Sequence, residues 1–273
     1  MMSWLSNLSV FVALPLFAAV FAAVAVVAHT LLRPILPPAE RLSEHHEVPG
    51  FLMGVVGVLY SVVLGFLVGT VWTTFAAAQQ TTDLEAGYVA DAFNFAGQIQ
   101  PPQGPKLQRI IARYAISVRD QNWSTTPQKR SDLATAALLF QAVRLAVQVP
   151  PQTKNTASAE ILESNSLRSA FLDTLRQLGD ARRLRVVQSQ TWLPPGLIEA
   201  LLLGAAFVIA FTFLFGVRSY AKQMVMTGLL AGSIGLFFGL VIELSTPYSG
   251  SIHVSRDSLT IVIENNHLAD FAK

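Results

Sequence analysis

Four stretches of this chain each reach the roughly 20 apolar residues that an α-helix needs to cross a hydrocarbon core of about 30 Å. Nothing else in the sequence constrains the fold as tightly. The first, Val10 to Leu32, carries no charge and contains Pro15, which a membrane helix can absorb. The second, Pro49 to about Ala78, is also uncharged and long enough to tilt or to extend beyond the bilayer. The third, about Leu197 to Val217, holds one acid, Glu199; the fourth, about Val225 to Thr246, holds Glu243. The segment before the first stretch, MMSWLSNLS, lacks the basic residues of a secretory signal, and the apolar run exceeds the usual 7–15 residues, so a retained helix is expected. The fold class that follows is an all-α integral membrane protein with four transmembrane helices.

The charge is segregated. Only 13% of residues are charged, against about 25% in a soluble domain. Residues 79–190, a polar segment of 112 residues, hold 13 of the 19 basic side chains. Helical spacing runs through that segment: Leu84, Tyr88, Ala92 and Phe95; Leu107, Ile111, Tyr114 and Ile116; Leu133, Leu138, Ala142, Leu145 and Val149; Leu167, Phe171, Leu175 and Leu178. Pro and Gly mark its joints at 101–105, Thr126-Pro127 and Pro150-Pro151. An extramembrane helical domain inserted between the second and third spans is therefore expected. The organisation reads as 1–78, a first transmembrane hairpin; 79–190, the helical domain; 191–249, a second hairpin; and 250–273, a C-terminal tail.

Several function classes drop out. With no cysteine there is no disulfide scaffold, cysteine-ligated zinc, iron–sulfur site or thiol catalysis. Lys+Arg 19 against Asp+Glu 17 is nearly balanced, which argues against a nucleic-acid-binding surface. No Walker loop, dinucleotide glycine fingerprint, zinc-protease helix or nucleophile elbow occurs, so no catalytic residue, metal site or cofactor is expected. His45, His46 and Glu47 lie together, but adjacent histidines project about 100° apart on a helix and suit a surface cluster better than a metal cage. His29, His253 and His267 are isolated.

Sidedness rests on the loops. The short odd loops hold Arg33, Arg41, Arg218 and Lys222, while the N-terminal tail and residues 79–98 hold no basic residue. The positive-inside count thus favours the N-terminus, helical domain and C-terminus on the outer side, though a domain this long largely escapes the rule. Arg176, Arg182, Arg183 and Arg185, just before the third span, argue the other way, toward anionic cytoplasmic lipid. Those arginines could also draw anions to a pore mouth, or form a solvated helix face. Trp4, Trp72, Trp192 and Tyr248 fall at span ends on the domain's side, as an interfacial belt would.

Small residues recur every fourth position in the second span: Gly57, Ser61, Gly65, Gly69 and Thr73. The fourth span repeats the device with Gly228, Gly232, Gly235 and Gly239, and Glu243 continues that face. Such stripes admit a close neighbouring backbone. They also suit a pore lining, where small residues leave room and expose carbonyls to water. An ionisable group in a membrane helix rarely faces lipid, so Glu243 joins Gly57, Ser61, Gly65, Gly69 and Thr73 as a candidate pore-lining residue. Glu199 sits at a helix start, where a carboxylate complements the dipole.

Two stretches carry a resemblance. His45-His46-Glu47-Val48-Pro49-Gly50-Phe51, with Gly57-Val58-Leu59-Tyr60, Gly65-Phe66 and Trp72 after it, resembles the start and second helix of the bacterial "bestrophin-like" membrane proteins, a family of unknown function. In that family the helix runs on into a polar segment with a Glu-Ala pair, like Glu85-Ala86. Thr246-Pro247-Tyr248-Ser249-Gly250, followed by Ile252-His253-Val254-Ser255, is similar to the family's closing Pro-Phe/Tyr-x-Gly and valine–serine stretch. An Asp is expected before the proline, where this chain has Ser245-Thr246. The resemblance implies distant kinship with bestrophins, which are pentameric anion channels with four membrane helices per subunit and a cytoplasmic helical domain. Their calcium-binding acidic cluster has no counterpart here.

What the resemblance implies is a homo-oligomeric channel in the bacterial inner membrane, a pentamer by kinship, passing small anions such as chloride along the second span. Its partners would be membrane lipid and small inorganic ions, with no nucleic acid. The alternatives are a cation channel using Glu243, and a non-conducting scaffold or sensor that binds a partner through the helical domain.

Overall fold

Each long apolar run forms a helix. A computed structural model describes residues 9–35, 47–120, 128–148, 158–190, 193–215, 219–249 and 251–272. Trp4, Arg41, His45, His46, Trp192, Arg218, Gly250 and the joints at Thr126-Pro127 and Pro150-Pro151 lie outside the described residues, as does the side chain of Glu47. In chain order the helices are α1 (Val10–Leu32), α2 (Glu47–Gln98), α3 (Gln103–Asp120), α4 (Gln128–Val147), α5 (Ser158–Gln190), α6 (Pro195–Phe213), α7 (Tyr220–Leu244), α8 (Asp257–Asn265) and α9 (Leu268–Phe271). There is no strand among the described residues. Four helices, α1, α2, α6 and α7, are long and apolar enough to cross a membrane, so this is a multi-pass membrane protein.

The contacts divide the chain into two units. The first comprises Met1–Phe75 with Thr191–His253; the second comprises Ala76–Gln190 with Val254–Lys273. Helix α2 contributes to both and is unbroken over 52 residues.

In the first unit α1 packs along α7. Phe17 and Phe21 of α1 pack on Phe238 of α7, with ring centroids 6.5 and 5.3 Å apart. Leu64, Leu67 and Val71 of α2 join Leu201 of α6 and Phe238, Val241, Ile242 and Leu244 of α7 in one core. Helix α6 begins with Pro195 after Pro194, where the missing N–H costs nothing because that donor has no helical partner anyway.

In the second unit, α3 supplies the centre of the core with Leu107, Ile111, Tyr114 and Val118. Around it lie Val89 and Phe93 of α2, Ala142 and Ala146 of α4, and Phe171, Leu175 and Leu178 of α5. The start of α3 requires glycine: a Cβ on Gly104 would sit 2.1 Å from the carbonyl oxygen of Ile99.

The last segment belongs to this core. Leu259, Ile263 and Leu268 are buried in it, and Phe271 meets Phe93 edge-on at 5.0 Å. Polar bonds hold it too: the Ser255 N–H donates to Gln79 Oε1 (2.8 Å), and Arg256 to the Arg119 carbonyl (3.1 Å). Asp257–Asn265 and Leu268–Phe271 are thus helices packed on this core, within the stretch expected as a C-terminal tail.

Candidate functional site

Helix α2 is covered on one side only within the first unit. Leu64, Leu67 and Val71, at three- and four-residue spacing, are buried against α6 and α7. The opposite side is open: Val58, Val62 and Phe66 are exposed, Phe66 by 80%. Ser61, Gly65, Gly69 and Thr73 lie on that open side, and Gly57 is half-buried at its edge. A Cβ built on Gly57, Gly65 or Gly69 meets nothing within 4 Å. The hydroxyls turn back onto their own helix, Ser61 to the Val58 carbonyl (2.9 Å) and Thr73 to the Thr70 carbonyl (2.8 Å). The result is an uncharged face on which a stripe of small residues runs beside large apolar ones, and whose hydroxyls are satisfied without a neighbour.

The glycines of α7 behave differently. A Cβ on Gly235 would lie 2.6 Å from Phe21 Cβ and 2.7 Å from the Phe17 carbonyl oxygen; on Gly239 it would lie 2.7 Å from the Phe17 ring. Gly232 faces the Ala18 carbonyl at 3.5 Å. These residues let α1 pack closely on α7. Gly204 of α6 does the same for the Tyr60 ring, 2.8 Å from its notional Cβ. Two small-residue stripes that read alike as close-packing faces are therefore one packed and one open.

Glu243 stands apart from the open face. It is only 5% exposed, and its Oε2 accepts the Ser251 N–H at 2.9 Å. The neighbouring motif closes α7: Ser245 bonds to the Ile242 carbonyl (2.7 Å) and Thr246 to the Ser249 carbonyl (2.8 Å). Pro247 and Tyr248 are buried. Tyr248, expected in an interfacial belt, is instead part of the interior, because the turn after α7 folds back on the helix end. Trp72 is exposed, as an interfacial residue would be.

The arginine group before α6 divides in the same way. Arg183 is exposed and pairs with Asp180 one turn earlier. Arg182 donates to Thr135 at 3.1 Å. Arg185 is 2% exposed, and its Nε donates to Glu85 Oε2 at 2.6 Å, so it offers no charge to lipid or to a pore mouth. Glu85 Oε1 accepts the Tyr114 hydroxyl at 2.5 Å. Burial above all, then the adjacent Glu85 carboxylate, holds the Tyr114 phenol well above the usual tyrosine range. The only sequence hint of this buried triad was the Glu85-Ala86 pair.

A family model, the Bestrophin-like domain, matches residues 19–259. The structure is similar to a bacterial bestrophin homologue from Klebsiella pneumoniae, with a TM-score of 0.63 and 14% identity, covering 95% of this chain and 97% of that one. A point variant of a Klebsiella pneumoniae homologue gives 0.62 at the same identity and the same coverage of both chains. A structure described only as a membrane protein variant gives 0.64 at 14% identity, with coverage again of 95% and 97%. No curated protein matches. The structural likeness, at these identities, speaks for a shared all-α membrane fold.

Proposed function

Because the chain belongs to the Bestrophin-like domain family, we propose that it is an oligomeric ion channel that passes small anions such as chloride along the open face of α2. The observation that carries this reading is the uncovered face of Ser61, Gly65, Gly69 and Thr73. A membrane helix covered on one side only has its other side against lipid, another subunit or water. Small and hydroxylated residues fit the last two better than the first. Copies of α2 arranged about an axis, five by kinship, would enclose a path lined by glycine backbone and hydroxyls. Such a lining presents dipoles to a passing ion without a fixed charge that would trap it. Small inorganic ions and membrane lipid are then the partners of the assembly.

Glu243 takes a structural role in this reading. Its carboxylate is occupied by the Ser251 N–H and buried in the chain, which supports anchoring of the turn after α7. A cation-selective acidic ring would need that carboxylate to face the ion path.

Reconstitution of the purified chain in planar bilayers tests the proposal. Current under a chloride gradient, with a reversal potential near that of chloride, is the expected result. No current under any ion gradient would reject conduction and favour a scaffold that works through the helical domain.

A further inference from the structure

Between α1 and α6, both in the first unit, lies a groove of about 440 Å³. Its walls are wholly apolar and mostly small: Val24 and Ala28 on α1 face Ala205, Ala206, Ala210 and Phe213 on α6. One end of it changes character. The Phe213 ring, which forms part of the wall, meets the His29 ring edge-on at 4.7 Å. His29 is 3% exposed, and its Nδ1 has no hydrogen-bond partner among the described residues. Arg33 follows one turn after His29, about 7.5 Å beyond Ala28 at about 1.5 Å rise per residue. Its guanidinium lies 4.4 Å over the Tyr220 ring, and Tyr220 in turn bonds Thr30 at 2.8 Å. Lys222 is exposed two residues after Tyr220. The described residues 9–35, 200–215 and 219–242 contain no acid.

An apolar slot whose Phe213 end lies one turn from a cation seated on an aromatic ring has the polarity profile of a glycerophospholipid. We propose that the groove holds one acyl chain of an anionic phospholipid, with its phosphate against Arg33. The slot excludes polar ligands, because no wall residue offers a hydrogen bond. The aromatic–cation pair at its end matches the depth at which head groups lie. The basic end, with no acid beside it among the described residues, selects a net negative head group over a zwitterionic one. This assignment rests on α1 and α6 spanning the membrane and is independent of conduction.

Delipidated full-length protein titrated with phosphatidylglycerol or phosphatidylcholine, and read by native mass spectrometry, tests it. The wild type should retain one phosphatidylglycerol per chain at least tenfold more tightly than phosphatidylcholine. Filling the groove at two exposed wall positions, Ala206→Phe with Ala210→Phe, should weaken that binding tenfold or more. Arg33→Gln should erase the preference between the two lipids while leaving the groove intact. Should the double variant fail to fold, Val24→Trp fills the slot from α1. Equal binding of the two lipids by the wild type, or unchanged phosphatidylglycerol binding in a folded groove-filled variant, would overturn the proposal. A groove-filled variant that changes oligomeric state without changing lipid retention would also overturn it, assigning the slot to a second copy of this chain. No current enters the readout, so failure here leaves the channel reading standing, and failure of the channel reading leaves this one.

Discussion

Arg185 and Glu85, 100 residues apart in sequence, form a buried ion pair with Nε and Oε2 separated by 2.6 Å. The second carboxylate oxygen is taken by the Tyr114 hydroxyl, and Arg185 Nη2 approaches it at 3.4 Å. Removing both charges from water is costly. What the pair supplies is a fixed register between α2 and α5, because either charge alone in that interior is worse than both together.

Breaking the pair from one side should therefore be severe. Arg185→Met is expected to destabilise the helical unit by about 3–5 kcal/mol, since it strands a buried carboxylate. Combining it with Glu85→Gln should recover much of that loss. Thermal unfolding of the full chain in detergent measures all three variants, and additive single effects would remove the coupling.

Tyr114 gives a pH signature. Its folded-state pKa is raised by burial and by Glu85, so the folded protein holds this proton more tightly than the unfolded chain does. The stability tied to it is complete below about pH 10, the ordinary tyrosine value, and is lost as pH climbs through the raised one. Unfolding midpoints measured from about pH 8 upward should fall more steeply for the wild type than for Tyr114→Phe. Parallel curves would contradict the assignment.

The two glycine stripes should answer oppositely to the same substitution. Gly235→Ala forces a Cβ into Phe21 and the Phe17 carbonyl, an overpacking expected to cost about 1–3 kcal/mol. Gly65→Ala meets nothing within the chain and should be neutral or gain up to about 1 kcal/mol from helix propensity. Gly65→Leu should then leave folding intact and reduce single-channel conductance. A Gly65→Leu channel that conducts like the wild type would take the open face out of the ion path.

At the end of α7, Glu243→Gln keeps an oxygen for the Ser251 N–H and should leave the reversal potential in asymmetric salt unchanged. Glu243→Leu removes the acceptor and should cost about 1–3 kcal/mol of stability. A shift of reversal potential in Glu243→Gln would return this residue to the pore.

The membrane helices were legible because a bilayer demands a long apolar run, and such a run is visible without knowing its neighbours. Helix α1 coincides with Val10 to Leu32 as expected. Spacing also showed which small residues share a face, but not what covers that face. Gly65 and Gly235 look alike in sequence and differ only in whether α1 lies opposite. The Glu85–Arg185 pair was hidden for a related reason, since no local pattern links residues 100 positions apart. Residues 257–271 read as a tail because two short helices of 9 and 4 residues give too few turns for a periodic signal.

The close seat of Phe17 on Gly235 and Gly239 also has a consequence for biogenesis. Its partners are 222 residues apart for the second contact, so α1 is synthesised long before the surface it fits. At elongation rates of about 5–20 residues per second, the first helix waits roughly 10–45 s in the bilayer before α7 emerges. During that interval Phe17 lacks the glycine surface that it fits in the finished protein. Assembly of the membrane unit must therefore be completed after translation of α7, and a nascent chain stalled before Gly235 should hold α1 in a protease- and crosslink-accessible state that the finished protein lacks.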